Sequence, residues 1–209
     1  MGFYQDRILP HLVNLAMRNR RLVPYRERVI SATEGRVLEI GVGSGLNLPF
    51  YRPSVSEVIG LEPAPRLLAM AQLAATQAPA PVSLIEGSAE AIPLDDGSID
   101  TVVSTWTLCT IPNVAAALRE MRRVLKPSGR LLFAEHGLAP ESSVRKWQDW
   151  LTPAWKRLGG GCHLNRPISR LIADASFRIE RLETGYLAGR NPMTFMYEGV
   201  ARPWREQSS

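Results

Sequence analysis

Short apolar runs alternate with longer stretches of helical periodicity over residues 36–136. Apolar runs of this length, separated by helical segments, are typical of strands in a parallel sheet that is covered by helices on both faces. The pattern predicts strands at 36–40, 57–61, 82–86, 99–104 and 130–135. It predicts helices at about 46–53, 65–77 and 113–125. We therefore expect a doubly wound α/β sheet.

The segments on either side of this region show different patterns. Apolar residues at 3–16 recur at helical spacing, which predicts an amphipathic helix with a break near Pro24. After a tryptophan-rich helix that begins near Glu141, the chain predicts a turn, a helix and two strands at 159–161, 168–175, 177–183 and 193–200. No linker composition is visible, so we expect one domain over 1–209, made of a helical cap at 1–34, a core at 35–136 and a closing segment with the last strands at 137–209.

Composition narrows the class of protein. A chain of 209 residues with 45% hydrophobic residues is long enough to bury one core. The cysteines, Cys109 and Cys162, are too few for a disulfide framework and form no C-x-x-C pair, so we interpret them as free thiols and expect no metal site. No run approaches the roughly 18 apolar residues of a membrane span, and the N-terminus lacks a signal-peptide pattern. These features predict a soluble, cytoplasmic protein.

The formal net charge of +5 is unevenly distributed. Residues 1–36 hold seven arginines against three acidic residues, so most of the basic excess precedes the first predicted strand. Such a segment can meet nucleic acid, an anionic membrane or an acidic partner, although a solvated helix face is the favoured interpretation. Basic runs interleaved with aromatic residues are absent, so no nucleic-acid partner is expected.

The strongest motif follows the first predicted strand, where Gly41, Gly43 and Gly45 form a G-x-G-x-G sequence. Glycine permits a tight turn there and lets a ligand lie against the main chain. Glu62 directly follows the second predicted strand, 23 positions after Glu39, where a carboxylate can accept hydrogen bonds from two ribose hydroxyls. One alternative is an ordinary turn that binds no ligand, but it would not explain a carboxylate at the position of Glu62. The other is a nicotinamide dehydrogenase, but the glycine motif of that class has G-x-G-x-x-G spacing.

A further polar segment, Glu86-Gly87-Ser88-Ala89-Glu90, follows the third predicted strand. Together these features resemble the class I S-adenosylmethionine-dependent methyltransferases over about residues 36–136. The resemblance implies a Rossmann-like doubly wound seven-stranded sheet, mostly parallel with a C-terminal antiparallel strand and helices on both faces. It implies S-adenosyl-L-methionine as the cofactor, with contacts from Glu39, Gly41, Gly43, Gly45, Glu62, Pro63, Ser88, Ala89, Glu90 and Thr105.

The sequence carries fewer signals for the methyl acceptor than for the cofactor. The segment after the fourth predicted strand, 105–109, lacks the N-P-P-Y or D-P-P-Y motif of base-modifying members, which favours a small or lipophilic acceptor. Glu135-His136-Gly137 and the segment 161–166 resemble the animal alkyl-thiol S-methyltransferases and their bacterial relatives, some of which are labelled phosphatidylethanolamine N-methyltransferases. The animal proteins carry an apolar N-terminal anchor, whereas residues 1–30 here predict at most a peripheral membrane contact.

Catalysis of this kind requires alignment of the nucleophile with an activated methyl group and, for a thiol, removal of a proton. His136 is the candidate base, because imidazole titrates near neutral pH. His163 and Arg166 are candidates for orienting the acceptor, and each of the three has a structural role as its alternative. We expect methyl transfer to a thiol. The alternatives are N-methylation of a phosphatidylethanolamine-type lipid, C- or O-methylation of a quinone or secondary metabolite, and cofactor binding without catalysis.

Overall fold

A computed structural model describes residues 3–204, apart from the side chains of residues 5 and 6. Residues 1–2 and 205–209, which the predicted domain includes, lie outside the described part. The strands are β1 (Arg36–Ile40), β2 (Glu57–Glu62), β3 (Val82–Glu86), β4 (Ile99–Thr105), β5 (Leu125–His136), β6 (Phe177–Tyr186) and β7 (Phe195–Pro203). The α-helices are α1 (Leu9–Met17), α2 (Val23–Ser31), α3 (Pro65–Ala75), α4 (Val114–Val124), α5 (Ser142–Leu158) and α6 (Ile168–Asp174).

All seven strands form one sheet in the order β3-β2-β1-β4-β5-β7-β6, which confirms the predicted fold class. Strands β1 to β5 pair in parallel, and β7 lies antiparallel between β5 and β6. The chain moves outward from β1 to β3 and then returns to β4 on the other side of β1. This reversal opens a crevice at the carboxyl ends of β1 and β4, where ligands of open α/β sheets bind.

Helices bury apolar side chains against both faces of the sheet. On one face α4 contributes Leu118 and Met121, which are fully buried. On the other face α2 contributes Val29 and Ile30. Burial of each such side chain stabilises the folded state by about 1.5–3 kcal/mol relative to exposure. The two packed layers hold the carboxyl ends of the strands in fixed positions.

The predicted helix at 46–53 is wrong, because the structure has only a 3₁₀ turn at Leu48–Phe50 there. Pro49 fits the first turn, but Pro53 has no amide hydrogen to continue a helix. The turn directs the side chains of Asn47 and Tyr51 toward the end of β1. This short segment therefore supplies side chains to the crevice instead of covering the sheet.

Two boundaries also differ from the predictions. The N-terminal break lies at residues 18–19, and Pro24 occupies the first turn of α2, where proline is well accommodated. Strand β5 begins at Leu125, which pairs with Ile99, before a register shift that resumes with Arg130 opposite Thr101. Among the described residues, none of the helices combines the length and the apolar character needed to cross a membrane.

Candidate functional site

A cavity of about 430 Å³ opens at the carboxyl ends of β1 and β4. One wall is the glycine loop after β1, and another is the segment that follows β4. Further walls come from the ends of β2 and β3 and the residues after them, from α1, through Leu9 and Val13 among others, and from Gly159 and Gly160 after α5. The predicted cap and closing segment therefore both contribute to the cavity.

The glycine loop adopts backbone conformations that other residues rarely adopt. Gly41 has a φ of +65°, and a Cβ atom added there would lie 2.5 Å from Cγ2 of Thr107. Gly43 has a φ of +57°, and an added Cβ would meet only the carbonyl of Gly41, at 3.8 Å. Gly41 thus permits close packing, whereas Gly43 leaves its main chain open to a ligand in the cavity.

Glu62 lies at the end of β2 with its carboxylate against the glycine loop. It accepts hydrogen bonds from the amides of Gly43 and Ala64, both at 3.0 Å. Burial raises the pKa of Glu62, and the two amide hydrogen bonds oppose this shift. The carboxylate is thus fixed on the cavity wall, as the predicted ribose contact requires.

Glu39, at the end of β1, is buried and accepts hydrogen bonds from Nδ2 of Asn47 at 2.7 Å and from the Tyr51 hydroxyl at 2.8 Å. Burial raises the pKa of Glu39 to about 7, although both hydrogen bonds and the nearby Arg26 oppose the shift. The same Asn47 nitrogen donates to Oγ1 of Thr105 at 2.9 Å, which joins the ends of β1 and β4. Glu39 therefore changes charge near neutral pH within the cavity wall.

Arg26 reaches this network from α2. Its guanidinium donates to Oδ1 of Asn47 at 2.5 Å and to the carbonyl of Met17 at 3.0 Å. It also lies 4.8 Å from the centre of the Trp106 ring, within the range of a cation–π contact. Burial lowers the pKa of Arg26 to about 10, so the side chain stays charged at neutral pH. It is the only basic side chain on the cavity wall among residues 3–204.

Trp106 has a φ of +51°, a strained value for a bulky residue. Its amide donates to the carbonyl of Ala134 at 2.9 Å, which ties the turn to β5. Glu135 supports the same turn, because its Oε1 atom accepts from the amides of Thr107 and Leu108, both at 3.1 Å. Such strain persists only where surrounding contacts enforce it, and here it presents Trp106 to the cavity.

Of the six other predicted cofactor contacts, four line the cavity and two do not. Pro63, Ser88, Ala89 and Thr105 line the cavity. Gly45 packs against α3 and does not line the cavity. The Glu90 carboxylate does not line it either and accepts a hydrogen bond from the amide of Asn113 at 2.5 Å. Glu90 therefore supports the start of α4, and its contact with the cofactor stays a prediction.

The three predicted catalytic side chains lie behind the cavity wall and do not line it. The Arg166 guanidinium is buried and donates to the carbonyls of Leu108 and Ile111, the latter at 2.7 Å. The His163 ring lies 3.1 Å from the carbonyl of Cys109. These contacts give His163 and Arg166 a structural role in joining the closing segment to the segment after β4. A role of either side chain in orienting the acceptor stays a prediction.

His136 contacts a cysteine instead of the cavity. Its Nε2 atom lies 3.1 Å from Sγ of Cys162, and its buried Nδ1 atom has no hydrogen-bond partner within the described part of the chain. Burial disfavours the charged ring, but the hydrogen bond and charge of Cys162 outweigh this effect and raise the pKa of His136. A base role for His136 stays a prediction.

Sequence reasoning missed Arg26, Asn47, Tyr51 and Trp106. Arg26 is one of seven arginines in residues 1–36, and nothing in its local pattern separates it from the others. Asn47 and Tyr51 fell within a predicted helix that does not form. Trp106 could have been noticed, since it directly follows a buried strand at the switch point of the sheet.

Comparisons with known proteins agree on one family. The family model described as a methyltransferase domain matches residues 38–133. Thiol S-methyltransferase TMT1B from Rattus norvegicus is 34% identical over 157 residues, which cover 73% of this chain but only 64% of that protein. TMT1B from Homo sapiens is 31% identical over 177 residues, covering 79% and 72% of the two chains.

Two further similarities are informative. Phosphatidylethanolamine N-methyltransferase from Cereibacter sphaeroides is 29% identical over 169 residues, covering 80% of this chain and 81% of that protein. The crystal structure of a SAM-dependent methyltransferase from Thermotoga maritima matches with a TM-score of 0.69 at 22% identity, over 96% of this chain and all of that one. At this identity the structural match shows the shared fold.

Proposed function

Because the chain belongs to the class I S-adenosylmethionine-dependent methyltransferases, we propose that it methylates the sulfur of a small or lipophilic thiol. The observation that carries this proposal is a cavity that the glycine loop and Glu62 line together with mostly apolar residues of α1. The similarity to two thiol S-methyltransferases supports sulfur as the acceptor atom.

The cavity wall fits the predicted cofactor at three points. The open main chain at Gly43 leaves room for close approach, and the adjacent Glu62 carboxylate can accept from ribose hydroxyls. Glu39 and Arg26 provide opposite charges for the ammonium and carboxylate groups of the methionine part. When bound, S-adenosylmethionine supplies a methyl group that its sulfonium already activates.

The acceptor side is lined largely by apolar groups. Leu9 and Val13 of α1, Trp106 after β4 and Gly160 after α5 all line the cavity. Such a surface suits an alkyl chain and offers little to a nucleobase. Alignment of the nucleophile with the methyl group is the main contribution that the protein needs to make.

The acceptor thiol loses its proton by its own ionisation in this proposal. Histidine does not line the cavity among residues 3–204. A thiol with a pKa of about 8.5 is partly ionised at neutral pH, and the thiolate is the nucleophile. We expect turnover to rise with pH until the pKa of the acceptor is passed, and to follow that pKa when thiols of different acidity are compared.

The test is a matched acceptor panel with isotope-labelled S-adenosylmethionine, read by mass spectrometry. The panel contains an alkyl thiol, an alkyl amine and an alkyl phenol, each with the same alkyl chain. The proposal expects an S-methyl product, and Glu62→Gln controls for cofactor dependence. Methylation of the amine or phenol without any S-methyl product would overturn the thiol assignment.

Phosphatidylethanolamine N-methylation is the second candidate, favoured by the similarity to the Cereibacter sphaeroides enzyme. Exposed apolar side chains on and before α1, Phe3 and Leu15, are 69% and 71% accessible and neighbour several arginines. This arrangement suits peripheral contact with an anionic bilayer. Vesicles containing phosphatidylethanolamine would yield an N-methyl lipid if this function is correct, and salt would weaken vesicle binding.

A further inference from the structure

Three side chains that can bind metals meet outside the cavity. Cys109 lies in the segment after β4, His136 ends β5, and Cys162 follows the glycine turn after α5. Their ligand atoms all lie within 4.8 Å of one another. The cysteines are 53 positions apart in the sequence, so local spacing gives no sign of this cluster.

The cluster is enclosed by apolar groups. Cys109 and Cys162 are 2% and 8% accessible, and Leu164 packs with both of them. Neither cysteine forms a disulfide. The methyl-transfer chemistry proposed above uses none of the three side chains. An enclosed group of two thiols and an imidazole therefore needs its own explanation.

The donor set matches zinc. Two cysteine sulfurs and one imidazole nitrogen are a known protein ligand set for Zn²⁺, with an exchangeable ligand in the fourth position. Metal–sulfur distances of about 2.3 Å and metal–nitrogen distances of about 2.0–2.1 Å place tetrahedral ligand atoms roughly 3.5–3.8 Å apart. In the structure Nε2 of His136 and Sγ of Cys162 are 3.1 Å apart, about half an ångström closer than in such a site. The other pairs of ligand atoms lie within 4.8 Å, so they need to approach by no more than about 1.3 Å.

We propose that Cys109, His136 and Cys162 bind one zinc ion, with water as the fourth ligand. Binding replaces any thiol protons and releases them to solvent, and the divalent charge balances two buried thiolates. Neutral imidazole coordinates through Nε2, which leaves the Nδ1 hydrogen on the opposite side of the ring.

The ion would join three separate segments behind the acceptor wall. Thr110 and Gly160, which line the cavity, are one and two positions from Cys109 and Cys162. Cys109 and His163 are already linked, since the His163 amide donates to the Cys109 carbonyl at 2.9 Å. Zinc would therefore hold the segment after β4 and the closing segment together behind the acceptor wall.

Metal content and Co²⁺ spectroscopy test the proposal without an activity assay. After reconstitution with zinc under reducing conditions and desalting, we expect about one zinc per chain by elemental mass spectrometry. Co²⁺ substitution should give thiolate-to-metal charge-transfer absorption and the visible bands of a tetrahedral site. Zinc far below one equivalent per chain, or a Co²⁺ spectrum without thiolate bands, would overturn the proposal.

Matched variants assign the ligands. Cys109→Ser, Cys162→Ser and His136→Gln should each weaken zinc binding by more than about tenfold in competition with a chromogenic chelator. His11→Ala, which removes an exposed histidine of α1, should leave binding unchanged. Circular dichroism confirms that the variants fold. If a variant does not fold, the Co²⁺ spectrum of the wild-type protein tests the proposed site instead. Wild-type zinc affinity in folded cysteine variants, or a Cys109–Cys162 disulfide in the reconstituted protein, would contradict the site.

Discussion

Glu39 and Glu62 are two buried carboxylates on one cavity, but their partners differ. Glu62 accepts from two backbone amides, whereas Glu39 accepts from the side chains of Asn47 and Tyr51. The positions of both carboxylates could be predicted, because each ends a strand and their spacing fits a known pattern. The hydrogen-bond partners of Glu39 could not be predicted, because they depend on a 3₁₀ turn at a place where the sequence pattern predicted a helix.

At this scale the first prediction concerns Glu62→Gln. An amide accepts ribose hydroxyl hydrogen bonds less strongly than a carboxylate, so S-adenosylhomocysteine should bind about 10- to 100-fold more weakly, a loss of roughly 1.5–3 kcal/mol. Isothermal titration calorimetry measures the dissociation constant. Glu57→Gln is the control, because Glu57 begins the same strand and pairs with Arg36 away from the cavity. Equal affinity of Glu62→Gln and wild type would contradict the ribose assignment.

The second prediction concerns the pH dependence of cofactor binding. Burial raises the pKa of Glu39 to about 7, so its carboxyl is mostly neutral at pH 6 and mostly charged at pH 8. Only the charged form attracts the ligand's ammonium group, so affinity for S-adenosylhomocysteine should fall about three- to tenfold from pH 8 to pH 6. Calorimetry at both pH values measures this change. Glu39→Gln should show a flat profile between them, and an equally steep profile would assign the effect to another group.

At the scale of elements, the closing segment is attached through Arg166. The bounds of β1 to β4 followed closely from short apolar runs that end at turn residues. The attachment of the segment after α5 could not be predicted, because it depends on carbonyls 55 and 58 positions away along the chain. Arg166 was predicted as a candidate for orienting the acceptor, and in the structure its guanidinium donates to the Leu108 and Ile111 carbonyls.

The third prediction follows from that attachment. Arg166→Ala leaves two buried carbonyls without their donor, so the free energy of unfolding should fall by about 2–4 kcal/mol. Urea denaturation followed by circular dichroism measures the loss. Arg170→Ala is the matched control, because Arg170 is exposed on α6 with a 3.6 Å ion pair to Asp174, and it should cost less than about 0.5 kcal/mol. Unchanged stability of Arg166→Ala would return Arg166 to a functional role.

At the scale of the whole molecule, the cavity is closed by segments that are far apart in sequence. The Tyr4 hydroxyl donates to the carbonyl of Leu158 at 2.8 Å, and Ser44 donates to Asn14 at 2.8 Å. The cofactor side is encoded locally, as strand ends and glycines in one continuous region. The acceptor side is formed by contacts of the N-terminal helical segment with the glycine loop and with the end of α5. Such contacts leave no periodic pattern, so the sequence indicated the components of this side but not their arrangement.

The fourth prediction tests this closure through Gly160. It has a φ of +64°, and an added Cβ would lie 3.0 Å from Cδ2 of Leu9, so Gly160→Val should push α1 away from the closing segment. The acceptor KM should then rise about tenfold, equivalent to about 1.4 kcal/mol, while affinity for S-adenosylhomocysteine stays within about twofold. Gly189→Val controls for backbone strain, because Gly189 has a φ of +61° and an added Cβ there would meet nothing within 4 Å. Steady-state kinetics measures the KM of the acceptor, and calorimetry measures the affinity for S-adenosylhomocysteine.

Two outcomes would contradict this prediction. An equal rise in KM for both variants would assign the effect to backbone strain. A loss confined to cofactor affinity would place the contact between α1 and Gly160 on the cofactor side of the cavity.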